Sequence, residues 1–141
     1  MAEDLTFTMI KPEAVADGNC GAIIGRIEKA GFSILGMKLT RLSREQAGQF
    51  YEIHKERPFY PSLCNYMSSG KIIAMVLRKS NAVEDFRKLI GATNPAMAEE
   101  GTIRKMFAKS IESNAVHGSD SDQNALKEAS FFFSELEYFK S

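Results

Sequence analysis

The hydrophobic residues of this chain change their spacing along its length, and the order of the two spacings constrains the fold more than any other feature. Residues 5–11 carry apolar side chains at every second position, which predicts a β-strand. Residues 20–30 place them three or four positions apart, which predicts an amphipathic helix. The chain therefore begins as a strand followed by a helix.

Both spacings recur along the rest of the chain. Residues 32–42 alternate again, and Leu35, Met37 and Leu39 are predicted to form the buried row of a second strand. The later segments are predicted as a capped helix from Ser43, a helix after the break at 57–61, a strand at 72–77, a helix at 81–90, a short helix at 103–108, a very short strand at 115–117 and a helix at 121–133.

With the extra helices set aside, the order is β-α-β-β-α-β, the split βαβ arrangement of ferredoxin-like proteins. We therefore predict an α+β sandwich with a four-stranded antiparallel sheet. The helices are expected to pack on one face of the sheet, and an extra loop is expected before the last strand. A length of 141 residues is suited to one domain spanning residues 1–141.

Composition argues against several classes of function. The formal net charge is zero, so no overall field favours nucleic acid or a membrane surface. No apolar run approaches the roughly 18 residues that span a bilayer. Cys20 and Cys64 suggest no disulfide framework, which predicts a reducing, cytoplasmic compartment, and the acidic start of the chain does not resemble a signal peptide.

His117 is the candidate reactive group. It is one of two histidines and lies between the very short strand and the last helix. Gly118 beside it keeps a β-carbon out of the way, and the Ser and Asp residues that follow can cap a helix. From this stretch alone, an ordinary turn with an incidental histidine explains the pattern at least as well as a catalytic role.

Five polar residues outside the apolar stripes give His117 a chemical context: Lys11, Arg87, Thr93, Arg104 and Asn114. Because the first and last strands are neighbours in the predicted sheet, Lys11 and His117 are expected to lie close together. Two arginines, a lysine and neutral donors suit a polyphosphate, although each arginine taken singly is explained as well by a solvated surface.

A neutral histidine can act as a nucleophile, and Glu128 is a candidate to hold its second ring nitrogen. For this contact, the last helix must fold back past His117. Glu128 could equally be an ordinary exposed helix residue. The chain lacks the usual glycine-rich phosphate-binding motifs, and its histidines and cysteines are too scattered for a zinc site.

Taken together, these residues resemble a known family. The sequence is similar to nucleoside diphosphate kinases over about residues 6–133, and N-A-V-H-G-S-D-S at 114–121 resembles the family's active-site signature N-x-x-H-x-S-D. Further segments resemble the family in the same order: I-K-P at 10–12, R-P-F-Y at 57–60, G-A-T-N-P at 91–95 and G-T-I-R at 101–104.

The resemblance implies a phosphotransferase that moves the γ-phosphate of a nucleoside triphosphate, mainly ATP, to nucleoside diphosphates. The implied route is a ping-pong mechanism in which His117 is phosphorylated. Glu128 would hold the imidazole, and Ser119 would hydrogen-bond that carboxylate. Mg²⁺ is the implied cofactor, held mainly by nucleotide phosphates and water, so no protein metal ligands are expected.

The resemblance also assigns contacts to the phosphates. Arg87 and Thr93 would bind the terminal phosphate of the diphosphate. Arg104 would bind the phosphate in transfer, and Lys11 and Tyr51 would face the same group. These roles suit phosphoryl transfer, which depends on positioning and charge neutralisation.

The remaining assignments concern the sugar and the base. Lys11 and Asn114 would bind the sugar hydroxyls. Phe59 would stack on the base, with Leu63 and Ile111 beside it. Stacking tolerates every base, so broad nucleotide acceptance is expected.

The chain departs from the family pattern in residues 96–100 and 105–107, in a loop that the family uses for subunit contacts. A homo-oligomer is expected, and a tetramer is favoured over a hexamer. Two alternatives to the kinase stay open at this point. One is a nucleotide-binding protein of the same fold without turnover, since fold does not determine function. The other is a nucleic-acid-binding domain, which the zero net charge opposes.

Overall fold

The sheet has four antiparallel strands. The computed structural model describes residues 4–139, and its strands are Leu5–Ile10 (β1), Ser33–Thr40 (β2), Ile72–Arg78 (β3) and Val116–Gly118 (β4). Their order across the sheet is β2-β3-β1-β4, so β1 and β3 are central. The predicted ferredoxin-like topology is confirmed.

Helices connect the strands in the predicted order. They are Pro12–Ala16 (α1), Cys20–Lys29 (α2), Arg44–Phe50 (α3), Tyr60–Met67 (α4), Ala82–Ile90 (α5), Ile103–Phe107 (α6) and Asp122–Phe132 (α7). Short 3₁₀ turns follow α3 at Glu52–His54 and occupy Pro95–Met97. The extra segment between α5 and β4, residues 91–115, contains α6.

Helices cover both faces of the sheet, so the expectation of a single covered face was wrong. Side chains of α3, α4 and α7 pack on one face, and those of α1, α2, α5 and α6 pack on the other. Thr6 and Thr8 alternate with apolar residues in β1 and so indicated an exposed face, yet both are buried. A small hydroxyl tolerates burial when it has a partner, and Thr8 Oγ1 donates to the His117 carbonyl at 2.6 Å.

The predicted buried row of β2 was also partly wrong. Leu35 is buried, but Met37 is 52% exposed and Leu39 is 59% exposed. The register of β2 against β3 slips between Ile34 and Gly36. Such a bulge adds one residue and reverses the facing of every residue after it, so Met37 and Leu39 lie on the opposite side of the sheet from Leu35.

The pairing of β1 with β4 brings together residues that are far apart in the sequence. Met9 lies opposite His117 in this pair. The N–H of Lys11 donates to the carbonyl of Ala115 at 2.8 Å, which extends the pairing beyond the end of β1. The expected proximity of Lys11 to the segment around His117 is therefore present.

The start of α3 is a capping box at Ser43, as the sequence predicts. Ser43 Oγ accepts from the Gln46 N–H at 3.0 Å, and Gln46 Oε1 accepts from the Ser43 N–H at 2.9 Å. Replacing Ser43 with Ala removes the acceptor for one free helix donor. We expect Ser43→Ala to lower the free energy of unfolding by about 1 kcal/mol in urea titrations. Ser80→Ala, at an exposed serine outside α3, is the control, and an equal loss there would contradict the assignment.

Candidate active site

His117 is held at one ring nitrogen. Its Nε2 lies 2.8 Å from Glu128 Oε1, because α7 folds back past β4. Ser119 is fully buried, and its Oγ donates to the same carboxylate oxygen at 2.6 Å. A carboxylate accepts, so we assign the proton to Nε2 and the lone pair to Nδ1. The geometry leaves Nδ1 as the nucleophilic nitrogen of His117.

The backbone turns sharply just before β4. Ala115 has a φ of 73°, and the Val116 N–H donates to the Asn114 carbonyl at 2.9 Å, which closes a three-residue turn. A positive φ is unfavourable for a residue with a β-carbon and is found often at functional sites. After this turn, Asn114 and His117 line the same cavity.

Aromatic rings restrict the orientation of the imidazole. The ring of Phe50 meets it edge-on with centroids 5.4 Å apart, and the ring of Tyr51 does so at 6.3 Å. The ring of Phe7 lies 6.1 Å away. Rotation of the His117 ring is therefore limited by packing as well as by its bond to Glu128.

Gly118 packs closely against α5, and a side chain at this position would force its neighbours to shift. A β-carbon at this position would come within 2.8 Å of Ile90 Cδ1 on α5. The close approach of β4 to α5 also brings Arg87 to the site, where its Nη1 lies 3.5 Å from the Gly118 carbonyl. The glycine therefore allows the strand to pack against the helix, and it keeps a β-carbon out of the way as the sequence suggests.

A cavity of about 580 Å³ opens beside His117. The structure brings the predicted site residues together around it: Lys11, Tyr51, Phe59, Leu63, Arg87, Thr93, Arg104, Ile111, Asn114, His117 and Glu128 line the cavity, and Ser119 lies behind Glu128. Other lining residues had no predicted role: Phe50, Ile53, His54, Glu112, Asp120 and Asn124. Among these, Asp120 is the one that the signature motif could have identified.

Arg104 is a buried cation in the wall of the cavity. It is 7% exposed, and its guanidinium donates to the Gly91 carbonyl at 3.0 Å and to the Val116 carbonyl at 2.9 Å. Burial and, to a smaller extent, the charge of the nearby Arg87 lower the pKa of Arg104 to about 10, while Tyr51 partly offsets the shift. The side chain is fixed by backbone carbonyls and keeps its charge at neutral pH.

Lys11 is a second buried cation. The residue is 6% exposed, and its side chain forms no ion pair with any residue that the structure describes. Burial and the charge of Arg104 lower the pKa of Lys11 to about 7, and Glu112 partly offsets this shift. An anion that entered the cavity would favour the charged form of Lys11.

Buried polar atoms without partners concentrate at this cavity. Within residues 4–139, four buried side-chain N or O atoms lack a hydrogen bond: Thr6 Oγ1, Tyr51 Oη, Arg104 Nε and Asn114 Oδ1. Three of these four residues line the cavity. Burial and the charge of Glu128 raise the pKa of Tyr51, so its hydroxyl stays protonated and can donate. Unpaired buried groups are costly, and their concentration here indicates a site for a polar ligand.

The outer end of the cavity is apolar. Phe59 is 48% exposed and Ile111 is 59% exposed, whereas Leu63, which also lines the cavity, is buried. The ring of His54 lies 5.6 Å from that of Phe59. Exposed aromatic and aliphatic side chains at the mouth of a polar cavity suit a ligand with one flat apolar end and one charged end.

No group of three or more histidine, cysteine, aspartate or glutamate side chains is arranged for a metal ion within the described part of the chain. Asp120 is a cavity carboxylate, and its Oδ1 accepts from Asn124 at 2.7 Å. Among residues 4–139, no helix is both long and apolar enough to cross a membrane.

Comparison with known proteins identifies relatives over almost the whole chain. A family model described as nucleoside diphosphate kinase matches residues 4–138. The nucleoside diphosphate kinase of Flavobacterium psychrophilum is 58% identical over 139 residues, covering 99% of this chain and 100% of the relative. That of Chlorobium limicola is 57% identical over 129 residues, covering 92% of each.

Solved structures agree with the sequence comparison. The nucleoside diphosphate kinase of Aquifex aeolicus matches with a TM-score of 0.95 and 38% identity, covering 96% of this chain and 99% of that structure. That of Halobacterium salinarum, solved in complex with CDP, matches with a TM-score of 0.93 and 33% identity, covering 99% of this chain and 93% of that structure.

The low pKa of Lys11 predicts a pH dependence of stability. The unfolded chain holds the proton up to the usual pKa of 10.5, but the folded, ligand-free protein holds it only below about 7. The unfolded state therefore binds more protons between these values. The quantity to follow is the free energy of unfolding of the wild type minus that of Lys11→Met. We expect this difference to fall by up to about 1.4 kcal/mol per pH unit as the pH drops from 10.5 to about 7.

Urea titrations at several pH values test this expectation. Below pH 7, both states of the wild type carry the proton, so the difference from Lys11→Met should become constant. Lys29→Met removes an exposed lysine of α2 and serves as the control. Parallel stability curves for the wild type and Lys11→Met across this range would contradict the prediction.

Proposed function

The chain belongs to the nucleoside diphosphate kinase family, and from this premise we propose how the groups of its cavity carry out the family's reaction. It is a phosphotransferase that transfers the γ-phosphate of a nucleoside triphosphate, mainly ATP, to nucleoside diphosphates. The reaction follows a ping-pong mechanism through a phosphohistidine at His117. The observation that carries our assignment of roles is the bond of His117 Nε2 to Glu128, which leaves Nδ1 free beside buried cations.

In the first half-reaction, His117 Nδ1 forms a bond to the γ-phosphorus, and the bond from that phosphorus to the bridging oxygen breaks. The electron pair leaves with the nucleoside diphosphate. The imidazole becomes more positive as it accepts the phosphoryl group, and Glu128 stabilises this charge through Nε2–H. Ser119 keeps the carboxylate in place by donating to its Oε1. A second diphosphate then attacks the phosphohistidine and reverses these steps.

Cationic side chains that line the cavity neutralise the charge of the phosphates. We assign Arg87 and Thr93 to the terminal phosphate of the diphosphate and Arg104 to the phosphate in transfer. Lys11 and the protonated hydroxyl of Tyr51 face the same group. The unpaired Nε of Arg104 and Oη of Tyr51 support these roles, because each has a buried donor available for an oxygen. Since these contacts are made to phosphate alone, they serve donor and acceptor nucleotides in turn.

The sugar and base lie toward the mouth of the cavity in this proposal. Lys11 and Asn114 bind the sugar hydroxyls, and the unpaired Asn114 Oδ1 supplies an acceptor. Phe59 stacks on the base, with Leu63 and Ile111 beside it. An exposed ring at the mouth accommodates a purine or a pyrimidine, which supports broad nucleotide acceptance.

We propose that Mg²⁺ accompanies the nucleotide. The described residues form no cage for it, and its preference for water and phosphate oxygens is compatible with a cavity that has few carboxylates. Asp120 also lines the cavity, and its carboxylate would hold water molecules of the hydrated ion. When bound, the ion would neutralise phosphate charge that Arg87 and Arg104 do not reach.

Transfer through His117 can be tested by labelling. Incubation with ATP labelled at the γ-phosphate should leave a label on the protein that is lost in acid and stable in base. We expect His117→Ala to abolish this label and to reduce ADP-dependent exchange to background. His54→Ala removes the second histidine and should retain the acid-labile label. A fully labelled and active His117→Ala protein would refute the mechanism.

We further propose that the enzyme is a homo-oligomer of the cytoplasm, with a tetramer favoured over a hexamer. Met37 and Leu39 support self-association, because they are exposed apolar side chains on the edge strand β2. The free thiols of Cys20 and Cys64 are compatible with a reducing compartment.

Measurement of the mass in solution tests the assembly. The chain weighs 15.7 kDa, so a tetramer is expected at about four times and a hexamer at about six times this mass. Met37→Lys with Leu39→Lys should shift the mass toward smaller species, because two buried charges oppose an apolar contact. A monomeric wild type would contradict the proposal.

A further inference from the structure

A carboxylate lies in a cavity that otherwise suits a polyanion. Glu112 lines the same cavity as Lys11, Arg87 and Arg104, and it has no role in the phosphoryl transfer described above. Its negative charge would repel phosphates. Glu128 holds His117 and Asp120 is assigned to the hydrated ion, whereas Glu112 has neither role and is better suited to a part of the nucleotide that is not phosphate.

The position of Glu112 favours the base. It follows Ile111 directly in the chain, and its two carboxylate oxygens lie 3.1 and 2.8 Å from the hydroxyl of Ser62, the residue that precedes Leu63. Ile111 and Leu63 are the apolar neighbours of the proposed base site. The Glu112–Ser62 contact thus joins the two segments on either side of that site.

Glu112 is less buried than the residues assigned to the sugar. Lys11 and Asn114, assigned to the sugar hydroxyls, are almost fully buried. Glu112 is only half-buried, and Phe59 and Ile111 beside the base are exposed. This exposure, together with the neighbouring Ile111 and the contact with Ser62, groups the carboxylate with the residues near the mouth, where the base lies in the proposed orientation.

Most of the hydrogen-bonding capacity of Glu112 is free. A carboxylate offers about four acceptor positions, and the Ser62 hydroxyl has one proton to give. Within the described residues, Ser62 is the hydrogen-bond partner of Glu112, and no ion pair involves this carboxylate. About three acceptor positions remain for donors on a ligand.

The segment that carries Glu112 is held in place by contacts before and after Glu112 in the chain. Lys109 forms ion pairs with Glu13 at 3.1 Å and Asp17 at 2.8 Å, next to α1. The hydroxyls of Ser113 and Tyr66 lie 2.9 Å apart, which joins the segment to α4. A carboxylate on an anchored segment loses little conformational freedom when a ligand binds.

The bases differ in the donors that they offer to such a group. Guanine presents N1–H and the N2 amino group side by side, which match the two oxygens of one carboxylate. Adenine and cytosine present one amino group next to an acceptor nitrogen, and uracil and thymine present one N–H between two carbonyls. A paired, charge-assisted contact is therefore available to guanine alone among these bases.

We propose that Glu112 recognises the edge of the base and gives the enzyme a preference for guanine nucleotides within its broad acceptance. This inference depends on the proposed function, because it uses the orientation with phosphates at Arg104 and the base at Phe59. Stacking on Phe59 admits every base, and the carboxylate adds affinity for the base with two adjacent donors.

Comparison of GDP with IDP as phosphoryl acceptors tests the proposal. The two nucleotides differ only in the N2 amino group, so stacking, sugar and phosphate contacts are matched. We expect the wild type to show a kcat/KM for GDP about tenfold above that for IDP, from the loss of one charge-assisted hydrogen bond. In Glu112→Gln and Glu112→Ala, this ratio should fall to about one through a higher KM for GDP.

A control variant and a second acceptor separate base recognition from other roles. Glu45→Gln makes the same chemical change on α3, outside the cavity, and should retain the wild-type ratio. A purely structural role of Glu112 would lower kcat/KM equally for GDP and IDP and would overturn the proposal. The proposal would also be overturned if Glu112→Gln changed the ratio of kcat/KM for GDP to kcat/KM for dGDP, because that change would assign Glu112 to the sugar.

Binding measurements distinguish this proposal from the proposed function. The ratio of the Kd values for GDP and IDP, measured by calorimetry, should show the same preference in the wild type and lose it in Glu112→Gln. If these ratios follow the expectation while no transfer through His117 occurs, the kinase mechanism is wrong and the base contact stands. If transfer occurs and both ratios are unaffected by Glu112→Gln, the base contact is wrong and the mechanism stands.

Discussion

The antiparallel pairing of β1 with β4 is the interaction on which the site depends. It joins the Lys11 N–H to the Ala115 carbonyl and the Ser119 N–H to the Phe7 carbonyl, on either side of His117. A strand of three residues contributes few hydrogen bonds, so its position is also maintained by packing of Gly118 against α5. Without this pairing, Lys11 and His117 would not share a cavity, and α7 would not bring Glu128 to the imidazole.

The cavity carries a charge imbalance that costs stability in the absence of a ligand. Lys11 and Arg104 are buried near each other, and both have lowered pKa values because burial disfavours their charged forms. Backbone carbonyls partly compensate Arg104, whereas Lys11 has no anionic side chain close enough for an ion pair among the described residues. A bound polyphosphate offsets this cost, so binding energy and charge neutralisation come from the same groups.

Much of the fold could be predicted because its elements follow the two hydrophobic periods closely. The errors arose where tertiary contacts changed the burial that the residue type alone would predict. Thr8 indicated an exposed face, but the His117 carbonyl accepts from its hydroxyl and lets it be buried. Met37 and Leu39 indicated a buried row, but a register slip at Gly36 turned them outward. Neither the partner of a hydroxyl nor a bulge is visible in the spacing of apolar residues.

The sequence alone determined the order of strands and helices, the resemblance to a family and the set of residues around His117, because motifs and periods are local. Only the tertiary structure decided which nitrogen of His117 is held, since the distance from Nε2 to Glu128 depends on how α7 packs against the sheet. It also decided that Glu112 lies in the cavity. No motif included Glu112, and its contact with Ser62 joins two segments that meet only when the chain is folded.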